Sequence, residues 1–138
     1  MREILFRGKR IDNVEWVEGF YIHKYDPVLD IVYAFIVTQH EKESFVTWHK
    51  VDPASVGQYT GLTDKNGKRI FEGDICRNTK TGEIVSVKWH GTMAGFVWSR
   101  RKEKSHLYDW GELFRAYDKY EVVGTVHDNP ELLEGGGE

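Results

Sequence analysis

Cysteine occurs once in these 138 residues, proline three times and methionine twice. A lone Cys76 excludes an internal disulfide and fits a reducing compartment. No apolar run approaches the roughly 20 residues that a membrane-spanning helix requires. The opening MREILFRGKRID has no apolar stretch of roughly 7–15 residues such as a secretory signal carries, so a soluble cytoplasmic protein is expected, with no membrane partner. A large charge of one sign is also missing: the net charge is −3, which does not mark a nucleic-acid binder. The six histidines (His23, His40, His49, His90, His106 and His127) form neither H-E-x-x-H nor a zinc-spaced Cys–His set, so no metal and no cofactor are expected. His49 and His90 each follow a tryptophan, and strand alternation points them outward, opposite their Trp neighbours.

What is abundant is aromatic. Five Trp, seven Tyr and seven Phe favour sheet over helix. A chain of this length buries roughly 68% of the surface its unfolded form exposes, enough for an ordinary core. Short apolar runs follow one another between turn residues. VEWVEGFYIHKY carries apolar groups on both parities and is expected to be covered on both faces. Residues 31–38, IVYAFIVT, are the most hydrophobic run and read as a buried strand. In EIVSVKWH, Val85, Val87 and Trp89 should face the core. DNVE at 12–15, DPAS at 52–55, NG at 66–67 and KTG at 80–82 read as turns. Asn66-Gly67 between extended segments predicts a type I′ hairpin turn, with positive φ at both residues. Residues 107–117 mix helical spacing with an interrupting Gly111. Near the end, DNPELLE predicts a helical turn with Asn129 as cap and Pro130 in first position. The pattern predicts a mainly β fold with an N-terminal β-subdomain over 1–55, a small barrel over 56–134, a short C-terminal helical turn and a flexible tail over 135–138.

Several stretches invite a chemical reading. GLTDKNGKR resembles a phosphate loop, but five residues separate Gly61 from Gly67-Lys68, Arg69 stands where Ser or Thr is needed, and no helix pattern follows. Glu72 and Asp74 share a strand face, as an acid pair would, yet a turn-fixing Asp beside a solvated Glu accounts for both. Cys76 has no histidine nearby in sequence and reads as a small buried thiol. No catalytic set emerges and no enzyme is expected. Arg100, Arg101, Lys102 and Lys104 form a basic loop beside Trp98, which would suit a single-stranded nucleic acid held by stacking and charge. Charge is also segregated: residues 1–59 carry −2, 60–104 carry +5 and 105–138 carry −6. With an aromatic-rich β surface, this makes protein–protein contact, or a homo-oligomer pairing basic middle with acidic end, the leading expectation.

Three blocks taken together resemble a known family. GQYTGLTDKNGKRIFEGDI over 57–75, YEVVGTVHDNPELL over 120–133 and the opening MREILFRGKRIDNVEWVEGFYI are similar to the YopX family of phage and prophage proteins. The resemblance implies an SH3-like barrel in the C-terminal part and a bacterial or phage cytoplasmic origin; beside a homo-oligomer, a host or phage protein is the partner expected. It implies no established reaction and brings no catalytic residues. The shared signature consists of turn-forming positions, namely Gly61, Asp64, Asn66, Gly67, Gly73 and Asp74, so it is expected to shape the chain rather than perform chemistry.

Overall fold

The computed structural model describes residues 4–39, 42, 44–91, 95–100 and 117–134. The fold is mainly β, and its strands lie in antiparallel sheets. The barrel expected of the C-terminal part is not closed. The chain divides into two compact units, Met1–Tyr59 and Thr60–Glu138.

In the first unit, β1 (Phe6–Lys9), β2 (Trp16–Asp26), β3 (Ile31–Gln39) and β4 (Val46–Val51) form an antiparallel meander. Arg10 bridges back to Val51, and the Asp52 amide donates to the Lys9 carbonyl at 2.9 Å, so the end of β4 returns to the end of β1. The Pro turn at 53–55 forms as a 3-10 turn, with the Asp52 carboxylate accepting the Ala54 amide. Ser55, which is buried, accepts the Lys9 amide at 2.8 Å and ties that turn to β1. The core is small: Ala34, Ile36 and Val51 are at most 1% exposed, packed by Phe6, Val17, Tyr21 and Val56. Gly8 completes it, because a Cβ there would lie 2.8 Å from a Val51 methyl.

The DNVE turn forms as expected. The Arg10 amide donates to the Glu15 carbonyl, and the Asn13 side chain accepts the Glu15 amide. The turn is closed by Val14 at φ 55, a left-handed conformation that a β-branched residue resists. Val14 is 67% exposed, so its side chain supports no core. Replacing Val14 with glycine is expected to stabilise the protein by about 0.5–1 kcal/mol, the relieved strain exceeding the entropy glycine adds to the unfolded chain. A urea titration would show a raised midpoint with unchanged slope; a lowered midpoint would refute the strain.

The division between units falls within β5 (Gly57–Thr63). Its first residues pair with β1. In the second unit, its later residues run beside β6 (Arg69–Phe71). There β7 (Asp74–Asn78), β8 (Ile84–His90), β9 (Gly95–Arg100) and β10 (Tyr120–Thr125) form a four-stranded sheet in the order β10-β7-β8-β9. Ile70, Cys76, Val85, Val87, Phe96, Trp98 and Tyr120 make its core. Val85 and Val87 face inward as expected, but Trp89 does not: it is 46% exposed and meets Phe96 edge-on at 5.1 Å. β8 runs past its core at that end, so alternation alone does not bury the third residue. Ser86, on the opposite parity, is buried as well. The chain's last described element is a helical turn at Glu131–Glu134. The Asn129 carbonyl accepts the Leu132 amide at 3.1 Å, and its side-chain oxygen turns back and accepts the Thr125 amide at 3.1 Å.

Candidate functional site

The loop that resembles a phosphate cradle already holds an anion, the carboxylate of Asp64. Asp64 is 5% exposed. Its Oδ1 accepts the amides of Asn66 at 2.8 Å and Lys68 at 2.9 Å, and its Oδ2 accepts the Val122 amide of β10 at 2.9 Å. The Gly67 amide goes to the Asp64 carbonyl. The backbone donors a phosphate would need are therefore spent. Gly67 has φ +83, but Val14 and Asp30 are the only described non-glycine residues with positive φ. Asn66 is thus not left-handed, and the predicted type I′ turn is replaced by a three-residue loop ending in a left-handed glycine. The carboxylate draws the loop amides inward and selects this longer form.

Asp74 does the same for the next turn. It is fully buried, and its Oδ2 accepts the Phe71 amide at 2.7 Å across Glu72-Gly73, where Gly73 takes φ +92. The Gly73 amide and carbonyl bond to Val87 and Val126. Gly61 bends β5 at φ +92 with open space where a side chain would be. Among the described residues, no group of three or more His, Cys, Asp or Glu could hold a metal. Cys76 is buried in the core of the second unit.

The basic loop beside Trp98 divides differently. Trp98 is 1% exposed, with its ring 4.4 Å from that of Tyr120 in the core, so it offers no stacking face. Arg100 ends β9. Arg101, Lys102, Lys104 and the stretch 107–116 lie outside the described residues.

A different surface draws attention, on the first unit. Strand register puts Phe20, Val37 and Trp48 side by side across β2, β3 and β4, then Ile22, Phe35 and Lys50, then Lys24 and Tyr33. The Ala34, Ile36 and Val51 cluster lies on the opposite parity, while on this face Val37 is buried between its two neighbours. Phe20 is 64% and Trp48 49% exposed. Phe35 meets Trp48 edge-on at 5.4 Å, and the Lys50 Nζ lies 4.6 Å above the Tyr33 ring. At one end the face opens into a groove of about 450 Å³ lined by residues 24–27, Tyr33, Phe35 and Lys50. Beyond it lies the β2–β3 hairpin tip, Pro27–Asp30, whose Val28 is 89% exposed and Leu29 well exposed. The tip is held in shape: the Asp26 carboxylate accepts the Val28 and Leu29 amides, and Tyr25 donates its hydroxyl to Asp30 at 2.8 Å. That bond to a carboxylate raises the Tyr25 pKa above its ordinary value, because losing the proton would set two anions together.

A family model described as YopX protein matches residues 5–134. The chain belongs to the YopX family. The solved structure of protein EF1440 from Enterococcus faecalis is similar over 96% of this chain and 99% of that one, at 22% identity and a TM-score of 0.56, which shows a shared fold. No curated protein matches. In this YopX-family chain Asp64 and Asp74 of the turn-rich signature bond backbone amides, and Asp74 is the buried member of the Glu72–Asp74 pair.

The outer aromatic face escaped sequence reasoning, although its signal was present. Apolar residues on both parities of β2 and β3 suggested strands covered on both sides; in the structure Phe20, Ile22, Ile31 and Trp48 remain exposed. The same inversion moves His49. Its Nε2 lies 3.0 Å from the Thr38 hydroxyl on the inner parity, and Trp48 is the residue that points out. No described helix is long and apolar enough to cross a membrane.

Proposed function

We propose that this YopX-family chain is a non-enzymatic, phage-type accessory protein of the bacterial cytoplasm that works by protein–protein contact, with a second copy of itself as the first partner to test. One observation carries the reading: an apolar hairpin tip, Val28-Leu29, is fully presented to solvent and yet ordered by Asp26 and Asp30. A rigid apolar knob loses little freedom on docking, so burying it favours association. The opposed charges of residues 60–104 and 105–138 support self-association as the form that contact takes. The carboxylate of Asp64, taken up by three backbone amides, and the buried thiol of Cys76 support the absence of a reaction.

Sedimentation velocity over a wide concentration range tests this. The parent chain is expected to gain mass with concentration, and the double variant Val28→Asp, Leu29→Asp to remain monomeric while melting at the parent's temperature. A parent that stays monomeric throughout, or a variant that associates equally well, defeats the reading. A second reading, single-stranded nucleic-acid binding, rests on a separate face of the same unit.

A further inference from the structure

The aromatic face of the first unit is also its cationic face. From β1, Arg7 and Lys9 lie opposite Glu18 and Trp16 on β2, which places all four on the side that carries Phe20 and Lys24. The Arg7 guanidinium sits 4.7 Å over the Trp16 ring. On this side, five rings (Trp16, Phe20, Tyr33, Phe35 and Trp48) share a surface with three lysines (Lys9, Lys24 and Lys50), while Arg7, 8% exposed, is buried beneath Trp16. Among the described residues of these strands, two acids accompany them, Glu18 and Asp26, and the Asp26 carboxylate is turned onto the hairpin-tip amides. The described strands thus present three lysines against two acids on this side, in a chain whose net charge is −3.

Lysines interleaved with rings are not the composition of a protein–protein core, where Lys is depleted. They are the composition of a surface that takes bases on its rings and phosphates on its amines. A flat sheet face cannot reach base faces inside a duplex, where they are stacked against one another; a single strand presents them. We propose that the outer face of β1–β4 binds single-stranded nucleic acid, with bases stacked on Phe20 and Trp48 and phosphates at Lys24 and Lys50. Phe20 and Trp48 flank Val37 in register, two strand spacings or about 10 Å apart, so each ring serves its own base. Both are well exposed. The groove beside them supplies the two amines, and Lys50, resting over the Tyr33 ring, exchanges that contact for a phosphate. This binding goes beyond protein association and uses residues other than the hairpin tip.

Fluorescence anisotropy of the full chain with labelled mixed-sequence DNA and RNA single strands of about 20 nucleotides tests it, with the matching DNA duplex as competitor. Binding is expected at about 50 mM salt and to weaken steeply by about 200 mM. Phe20→Ala and Trp48→Ala should each weaken it by about 5- to 150-fold. Lys24→Gln with Lys50→Gln should flatten the log–log salt slope by about 1.4, two single-strand phosphates' worth. Thermal melting of each variant at the parent's temperature excludes unfolding as the cause. A neutral hairpin-tip variant, Val28→Ser with Leu29→Ser, adds no charge beside the groove and should bind like the parent. No binding at low salt overturns the proposal, as does a duplex that competes as well as the single strand, or affinity that both ring variants leave within about twofold. Loss of binding in the tip variant alone would move the site off this face and overturn the assignment too.

Discussion

Replacing Asp64 with alanine is expected to lower the thermal midpoint by about 10–15 °C, the largest effect of any single side-chain truncation in the signature. The carboxylate holds three amides from two places in the chain: Asn66 and Lys68 in the loop, and Val122 in β10, 58 residues on. Removing it leaves three donors facing a small void. A donor left unsatisfied costs about 1–3 kcal/mol if buried and little if water reaches it. Lys65 to Arg69 are exposed, so water can serve the two loop amides. The Val122 amide is part-buried, on a residue packed against the core of the second unit, and its loss dominates. The sum is about 3 kcal/mol. Asp64→Asn keeps one acceptor oxygen but turns an NH2 group toward at least one N–H, so it should fall between alanine and the parent. Lys65→Ala, on the exposed loop, should change stability by no more than about 0.5 kcal/mol. Urea titration of the three variants decides the matter. If alanine costs no more than the Lys65 control, the carboxylate is not the tie between hairpin and β10. The Arg10–Asp12 pair offers a contrast: its bonds hold the Asp12 carboxyl below its ordinary pKa, yet both groups stand in water and screening leaves the pair little weight.

The sequence located the turns better than it typed them. Asn66-Gly67 marks a hairpin, and a hairpin is there; which hairpin forms depends on Asp64 reaching β10, a contact no local pattern contains. The terminal helical turn shows the same division. Pro130 and the acidic residues after it start a turn, and Asn129 also accepts the Thr125 amide across the chain's reversal, a bond the cap pattern does not contain. Alternation fared likewise. It says that Trp48 and His49 point to opposite sides, and they do, yet which side is the core depends on where β1 lies. β1 covers the inner face with Phe6, while on the aromatic one Phe20 and Trp48 stay exposed. A two-sided apolar pattern signals either burial on both faces or a binding surface, and only assembled strands tell these apart. The basic loop beside Trp98 looked like a binding site because cations and a ring are adjacent in sequence. The cations and rings that do share a described face come from four separate strands.

That face depends on a close approach at Gly19, and the second large effect is expected there. β2 pairs with β1 as far as Gly19, opposite Phe6, and its register with β3 begins at the next residue, Phe20 opposite Val37. At this change of partner the strands crowd. A Cβ on Gly19 would lie 2.3 Å from the Val37 carbonyl oxygen, 3.0 Å from its carbon and 3.2 Å from an Ile36 methyl. Two of these three atoms are backbone and cannot rotate away, so alanine must push β2 off β3. The expected cost is about 3 kcal/mol, at the upper end for an overpacked site. Gly61→Ala is the fitting comparison. Gly61 has φ +92 with open space around it, so alanine there meets strain but no clash and should cost about 1–2 kcal/mol. The two variants also separate by function. Gly19→Ala shifts Phe20 relative to Trp48 and should weaken oligonucleotide binding even below its melting temperature, while Gly61→Ala, outside that face, should bind like the parent. Equal stability losses for the two variants would show that steric approach at Gly19 is not what holds β2 and β3 in register. Unchanged binding in a destabilised Gly19→Ala protein would show that the spacing of the two rings does not matter to the ligand.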